Sequence, residues 1–146
     1  MEALAWLEAS APAQALRSAR WSYAAVNALH IFGIALLVGA VVPLDLRRLG
    51  LWRSLPEPVL ARALTPVAAA GLVVAAAAGA ALFAVRATEY AANPALLVKL
   101  TLVALGVANA LLWTLRRGAA PPLAAALSLL VWPAALVAGR FIAFVD

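Results

Sequence analysis

The chain contains one histidine, His30, inside the stretch VNALHIFGIALLVG (Val26 to Gly39), with apolar residues on both sides. An ionisable ring in so apolar a run is costly and marks a candidate site. On a helix, Tyr23, Asn27, His30, Ile34 and Leu37 fall along one side, polar in its outer half and apolar in its inner half. At 1.5 Å rise per residue, His30 sits about 13 Å past Trp21, near the centre of a membrane. A second polar group, Lys99, follows Pro94 by five residues, with Glu89, Tyr90 and Asn93 just before it. Arg86 and Arg140 fall near span ends on the same side. Tyr23, Asn27, His30, Arg86, Glu89, Tyr90, Lys99 and Arg140 are therefore expected to line one pocket in the outer half of the membrane. Asn109 lies deeper, and Trp113 is one turn beyond it.

Two ligands suit this set. A b-type haem needs an axial imidazole in an apolar slot, which makes His30 a metal ligand, and cationic groups such as Lys99, Arg86 or Arg140 suit its propionates. No second histidine is present, so the iron would be five-coordinate, take another type of ligand or lie between two protomers. A quinone needs less: a hydrogen-bond donor such as His30 or Asn27, and aromatic walls. Each residue also has a plain structural reading. Lys99, Arg86 and Arg140 can snorkel to headgroups, Asn27 and Asn109 can bond neighbouring helices, and Tyr23 and Tyr90 can anchor at the interface. His30 is too deep to snorkel, but it can be a neutral ring bonded to another helix.

The elements that carry these residues follow from composition. Of 146 residues, 67% are hydrophobic and 12% charged, with a mean hydropathy of +1.02. A soluble domain is about half apolar, so the surplus here must face lipid. The net charge of +5 reads as topology and attraction to anionic lipid, and nucleic acid is not an expected partner. With no cysteine in the chain, disulfides, thiolate metal sites and cysteine nucleophiles are ruled out. The amino terminus has no basic n-region, and the first apolar run is expected to be a retained span.

Four runs are long enough to cross a membrane. The expected fold is all-α: an integral membrane four-helix antiparallel bundle in a single transmembrane domain over 1–146, with a short amphipathic N-terminal segment. The spans are expected at about 21–42, 65–85, 94–115 and 122–145. Pro43 should end the first. Thr65-Pro66 and Asn93-Pro94 should open the second and third. Gly118 suits the exit of the third, and Pro133 should kink the fourth. Gly71, Ala75 and Gly79 make a small-residue stripe for close packing inside the bundle. Leu4, Leu7, Ala11 and Ala15 or Leu16 share an amphipathic face before the first span, and 57–64 (EPVLARAL) should form a short surface helix.

Arg47, Arg48, Arg53, Arg62, Arg116 and Arg117 lie at one side; Arg17, Arg20, Arg86, Lys99 and Arg140 lie at the other. Six against five, or six against three without Lys99 and Arg140, which lie near span ends, favours both termini outside the cytoplasm. At the first exit, PLDLRRLGL (Pro43 to Leu51), Asp45 can pair with Arg48 or with an arginine of another loop such as Arg117, and Gly50 makes the turn. Asp45, Arg47, Arg48, Gly50, Asn93, Pro94 and Asn109 are read as structural.

The stretch LHIFGIALLVGAVVPLDLRRLG resembles an uncharacterised family of small bacterial four-helix inner-membrane proteins. That family joins a first-span histidine to an Asp-Leu-Arg-x-Leu-Gly exit, and its third-span entry resembles Asn93 to Lys99 (Asn-Pro-x-Leu-x-x-Lys). The resemblance implies the fold, a bacterial inner-membrane location and matched positions at Asp45, Arg47, Gly50, Asn93, Pro94 and Lys99 beside His30. It implies no activity. A weaker likeness is to the membrane domain of copper-resistance D proteins, whose additional histidines and methionines this chain lacks.

No Ser-His-Asp spacing, HExxH, P-loop or GxGxxG occurs, so a stand-alone enzyme is not expected. One imidazole per chain does not make a soft-metal site. The expected function is a membrane subunit of a redox system, a homo-oligomer or part of a larger complex, binding haem or quinone around His30. The alternatives are a structural anchor or assembly partner without ligand, and a small oligomeric transporter with His30 as proton carrier.

Overall fold

In the computed structural model, which describes residues 2–116 and 120–145, the chain is entirely helical apart from loops and turns. In order these are α1 (Glu2–Glu8), α2 (Ala11–Ser18), α3 (Arg20–Arg48), α4 (Glu57–Val85), α5 (Ala87–Ala92), α6 (Pro94–Leu115) and α7 (Pro122–Phe141). Four of them, α3, α4, α6 and α7, are long and apolar enough to cross a membrane. Their outward faces carry exposed Ile31, Phe32, Val73, Leu105 and Leu130, an arrangement that lipid rather than water tolerates. The protein is a multi-pass membrane protein of all-α fold.

Three span ends differ from the sequence expectation. The first helix runs through Pro43 to Arg48, although proline forfeits a backbone bond and crowds the carbonyl four residues earlier. That residue is Gly39, and the turn beyond Pro43 is held by burial of Leu44 and Asp45. The 57–64 segment is not a separate surface helix. It is the first two turns of α4, which starts after Pro56 with Pro58 in its opening turn. Thr65-Pro66 is thus interior to α4 and caps nothing. The last helix stops at Phe141 rather than Val145. Pro133 is inside α7. The expected exit at Gly118 and the pairing of Arg117 with Asp45 lie outside the described residues.

The packing is an up-down arrangement in which α3 lies against α4 and α7, and α7 against α6. No Cα of α4 comes within 8 Å of one in α6 among the described residues. The α3–α4 pair is the tightest. A Cβ on Gly33 would stand 2.5 Å from the Ala75 nitrogen and 2.8 Å from the Gly71 carbonyl oxygen; one on Gly71 would stand 2.6 Å from the Leu37 nitrogen. The Gly71–Ala75–Gly79 stripe is therefore an internal face, and its partner is α3. At α6–α7, Trp132, only 5% exposed, lies on Gly106, where a Cβ would be 2.8 Å from the ring.

The amphipathic N-terminal segment folds as α1 and α2 and docks against α3, α4 and α5, at the end of the bundle where α3 begins and α4 ends. Glu8 accepts hydrogen bonds from the backbone N–H and the hydroxyl of Thr88, both at 2.7 Å. It supplies the N-terminal cap that α5 lacks from its own flanking residue, Arg86. The two Thr88 bonds hold the Glu8 carboxyl below the usual glutamate range. Arg17 donates to the Val85 carbonyl at the last turn of α4 and lies 4.0 Å from Glu8.

Candidate functional site

His30 is presented by α3 onto the small-residue stripe of α4. Its Nδ1 lies 2.7 Å from the Ala75 carbonyl oxygen, and its ring covers Gly79, where a Cβ would be 2.9 Å from Cε1. Only glycine at 79 leaves the ring room to lie flat on α4. From the other side comes Lys99 of α6, whose Nζ is 3.3 Å from His30 Nε2. An ammonium donates and does not accept. Nε2 is then the acceptor, Nδ1 carries the proton and donates to Ala75, and the ring is neutral. Lys99 reaches α3 by crossing α7 at Gly139, where a Cβ would meet Nζ at 3.2 Å and Cδ at 3.3 Å. Four helices thus converge on one hydrogen-bonded pair, with glycines at 79 and 139 making space for its two members. Both side chains are half-buried.

The other expected pocket residues are distributed around this pair rather than gathered on it. Tyr23 lies two turns above His30 and beside Tyr90, whose ring stacks on Phe83 with centroids 6.4 Å apart. Burial, and then the neighbouring Tyr23, push the Tyr90 hydroxyl above its ordinary range. Asn27 is exposed one turn above His30. Arg86 is exposed and pairs with Glu89 at 3.2 Å, and Arg140 is exposed with its guanidinium 4.6 Å from the Phe144 ring centroid. Neither arginine bonds His30 or Lys99 among the described residues. Arg86 and Glu89 instead line a cleft of about 300 Å³ with Glu8, Arg17 and Thr88.

Asn93 accepts from the backbone N–H groups of Ala95 and Leu96 as the α6 cap, with Pro94 in the first turn. Its amide nitrogen donates to the carbonyls of Ile142 at 3.1 Å and Val145 at 2.6 Å. One side chain therefore closes the start of α6 and the end of α7. Asn109 donates to the Ala124 carbonyl at 3.0 Å, an α6–α7 tie, and the Trp113 ring lies 5.3 Å from the Arg116 guanidinium.

At the opposite end, Asp45 is 2% exposed. Its Oδ1 accepts from Arg48 at 3.2 Å, and Arg48 also pairs with Glu57 at 3.2 Å. Ser128 of α7 also faces the carboxylate, and Oδ2 has no hydrogen-bond partner among the described residues. Gly50, at φ +104°, closes α3: Gly50 N–H bonds the Arg47 carbonyl and Leu51 N–H the Leu46 carbonyl, the Schellman pattern that favours glycine.

Sequence reasoning missed Ala75, Gly79 and Gly139 as partners of the pair, and Glu8 and Thr88 as the N-terminal clasp. Gly79 was visible only as part of a packing stripe, and Gly139 carried no signal at all. No group of three or more His, Cys, Asp or Glu side chains is placed to hold a metal ion among the described residues. No family model, curated protein or solved structure matches the chain.

Proposed function

We propose that the chain is a membrane subunit of a redox system and that a quinone headgroup engages the His30–Lys99 pair. The observation that carries this reading is the 3.3 Å approach of Lys99 Nζ to His30 Nε2 at membrane depth, with both side chains half-buried. An ammonium has three donors. One serves His30, and the others are free for a carbonyl oxygen arriving from the bilayer. A neutral imidazole beside it is a proton acceptor, which suits a ligand that gains and loses protons with electrons. The separation of α4 from α6 supports lateral access, and the exposed Asn27 amide one turn above His30 is a further donor.

Haem fits less well. The Nε2 that would ligate iron accepts from Lys99, Nδ1 donates to Ala75, and Arg86 and Arg140 are engaged elsewhere. The competing reading is a ligand-free anchor, favoured by the same fact that both ring nitrogens are partnered. The resemblance to small bacterial inner-membrane proteins supports that membrane as the location. The arginine distribution supports termini outside the cytoplasm, and the single site per chain suits a homo-oligomer or a larger complex.

The test is the quinone content of detergent-purified protein, by solvent extraction and mass spectrometry, together with its visible absorption. Wild type, His30→Ala and Lys99→Met are compared after incubation with excess quinone. Quinone retained by wild type and lost about tenfold or more in both variants, each still folded, supports the reading. A Soret band moves it to haem. No retention by wild type, or unchanged retention in His30→Ala, leaves the anchor.

A further inference from the structure

The loop that joins α3 to α4, residues 49–56, is more ordered than a bare connection requires. Arg47 Nε donates to the Leu55 carbonyl at 2.6 Å, its Nη2 lies 3.4 Å from the Arg53 carbonyl, and Arg53 Nε donates to Gly50 at 3.2 Å. Leu55 N–H closes a turn onto the Trp52 carbonyl at 2.9 Å. Two arginines are thereby held over one short loop, each with guanidinium donors to spare.

The same loop exposes Leu49, Leu51, Trp52 and Leu55, with Trp52 at 50%. Trp52 also has φ +50°, a conformation that a bulky residue avoids. A strained position persists where something over-determines it. The chain leaves half of this residue uncovered, and that half is open to a partner from outside. Indoles favour the bilayer boundary, and arginines favour anionic headgroups.

We propose that this loop is a lipid-binding site: Arg47 and Arg53 take the phosphate of an anionic phospholipid, while Trp52 and the three leucines enter the boundary of the same leaflet. Free phosphate would use the arginines but leave the four apolar side chains in water, which is why a lipid is the occupant. The site is at the opposite end of the bundle from Tyr23, Tyr90 and the N-terminal helices, and it does not depend on the quinone reading.

The experiment uses full-length protein reconstituted in nanodiscs of phosphatidylcholine containing a minority of phosphatidylglycerol. Lipids retained after detergent release are counted by native mass spectrometry for wild type, Arg53→Gln and Trp52→Gly. Wild type should retain phosphatidylglycerol in preference to phosphatidylcholine. Arg53→Gln should lower that preference about fivefold, the effect of one basic side chain at an anionic surface. Trp52→Gly should lower retention while keeping or raising thermal stability in lipid-free detergent, because glycine relieves the positive φ. Equal retention of the two lipids by wild type would overturn the proposal. So would retention unchanged in both variants, or displacement of the lipid by millimolar inorganic phosphate.

Discussion

Lys99 of α6 reaches His30 of α3 over the backbone of α7, at the one place where that helix has no side chain, Gly139. The pair is therefore governed by two glycines that make no hydrogen bond to it. Gly139 admits the lysine, and Gly79 seats the imidazole.

Gly79→Ala places a methyl group 2.9 Å from Cε1. The ring must lift off α4, and either the Ala75 bond or the Lys99 bond breaks. The expected cost is about 1–3 kcal/mol of overpacking. ¹⁵N spectra of the labelled imidazole should lose the signature of a single tautomer. A variant whose ring still shows one fixed tautomer would contradict this seating.

The α3–α4 crossing makes a sharper prediction. Gly33→Ala and Gly71→Ala each drive a Cβ into backbone atoms at 2.5–2.8 Å, which no rotamer change can relieve. Each should cost about 1–3 kcal/mol in reversible unfolding from mixed micelles. Gly39→Ala, with nothing within 4 Å, should be neutral or stabilising by up to about 1 kcal/mol through helix propensity. Equal effects at all three positions would refute the close crossing.

Asn93→Ala removes the α6 cap and both bonds to the end of α7, at an expected cost of about 1–2 kcal/mol. Asn93→Asp keeps the acceptor but loses the donors. Hydrogen exchange should then speed up at the end of α7 in both variants, and at the first turn of α6 only in Asn93→Ala.

Glu8 sets the pH response of the N-terminal clasp. Its carboxyl is held below the usual glutamate range by Thr88. The docking energy it supplies is therefore complete above the unfolded-state value and is lost as pH falls through the lower folded-state value. Limited proteolysis of residues 2–18 should be slow at neutral pH and quicken in acid. Glu8→Gln should remove that acid transition; an unchanged transition in Glu8→Gln would assign it to another group.

Much of the architecture was legible in sequence because the signals are local. Each membrane helix satisfies its own backbone, so four apolar runs of sufficient length already meant four spans. Asn93-Pro94 marked the start of α6 because a cap and its proline are adjacent in the chain. Helix ends near Pro43 and Pro66 were misplaced for the opposite reason. A proline's local penalty is visible, whereas the burial of Leu44 and Asp45 that carries α3 past it is not.

The chain alone thus determined the helix content, the membrane setting and the isolation of one histidine. What that histidine touches was decided by the tertiary structure. Ala75 and Lys99 lie 45 and 69 residues from it, and Thr88 lies 80 from Glu8. Such partners depend on which helix faces pack and how closely the backbones approach. That approach was set by glycines whose contribution is the absence of a side chain: the stripe at Gly71, Ala75 and Gly79 announced close packing but not its partner, and Gly139 gave no signal.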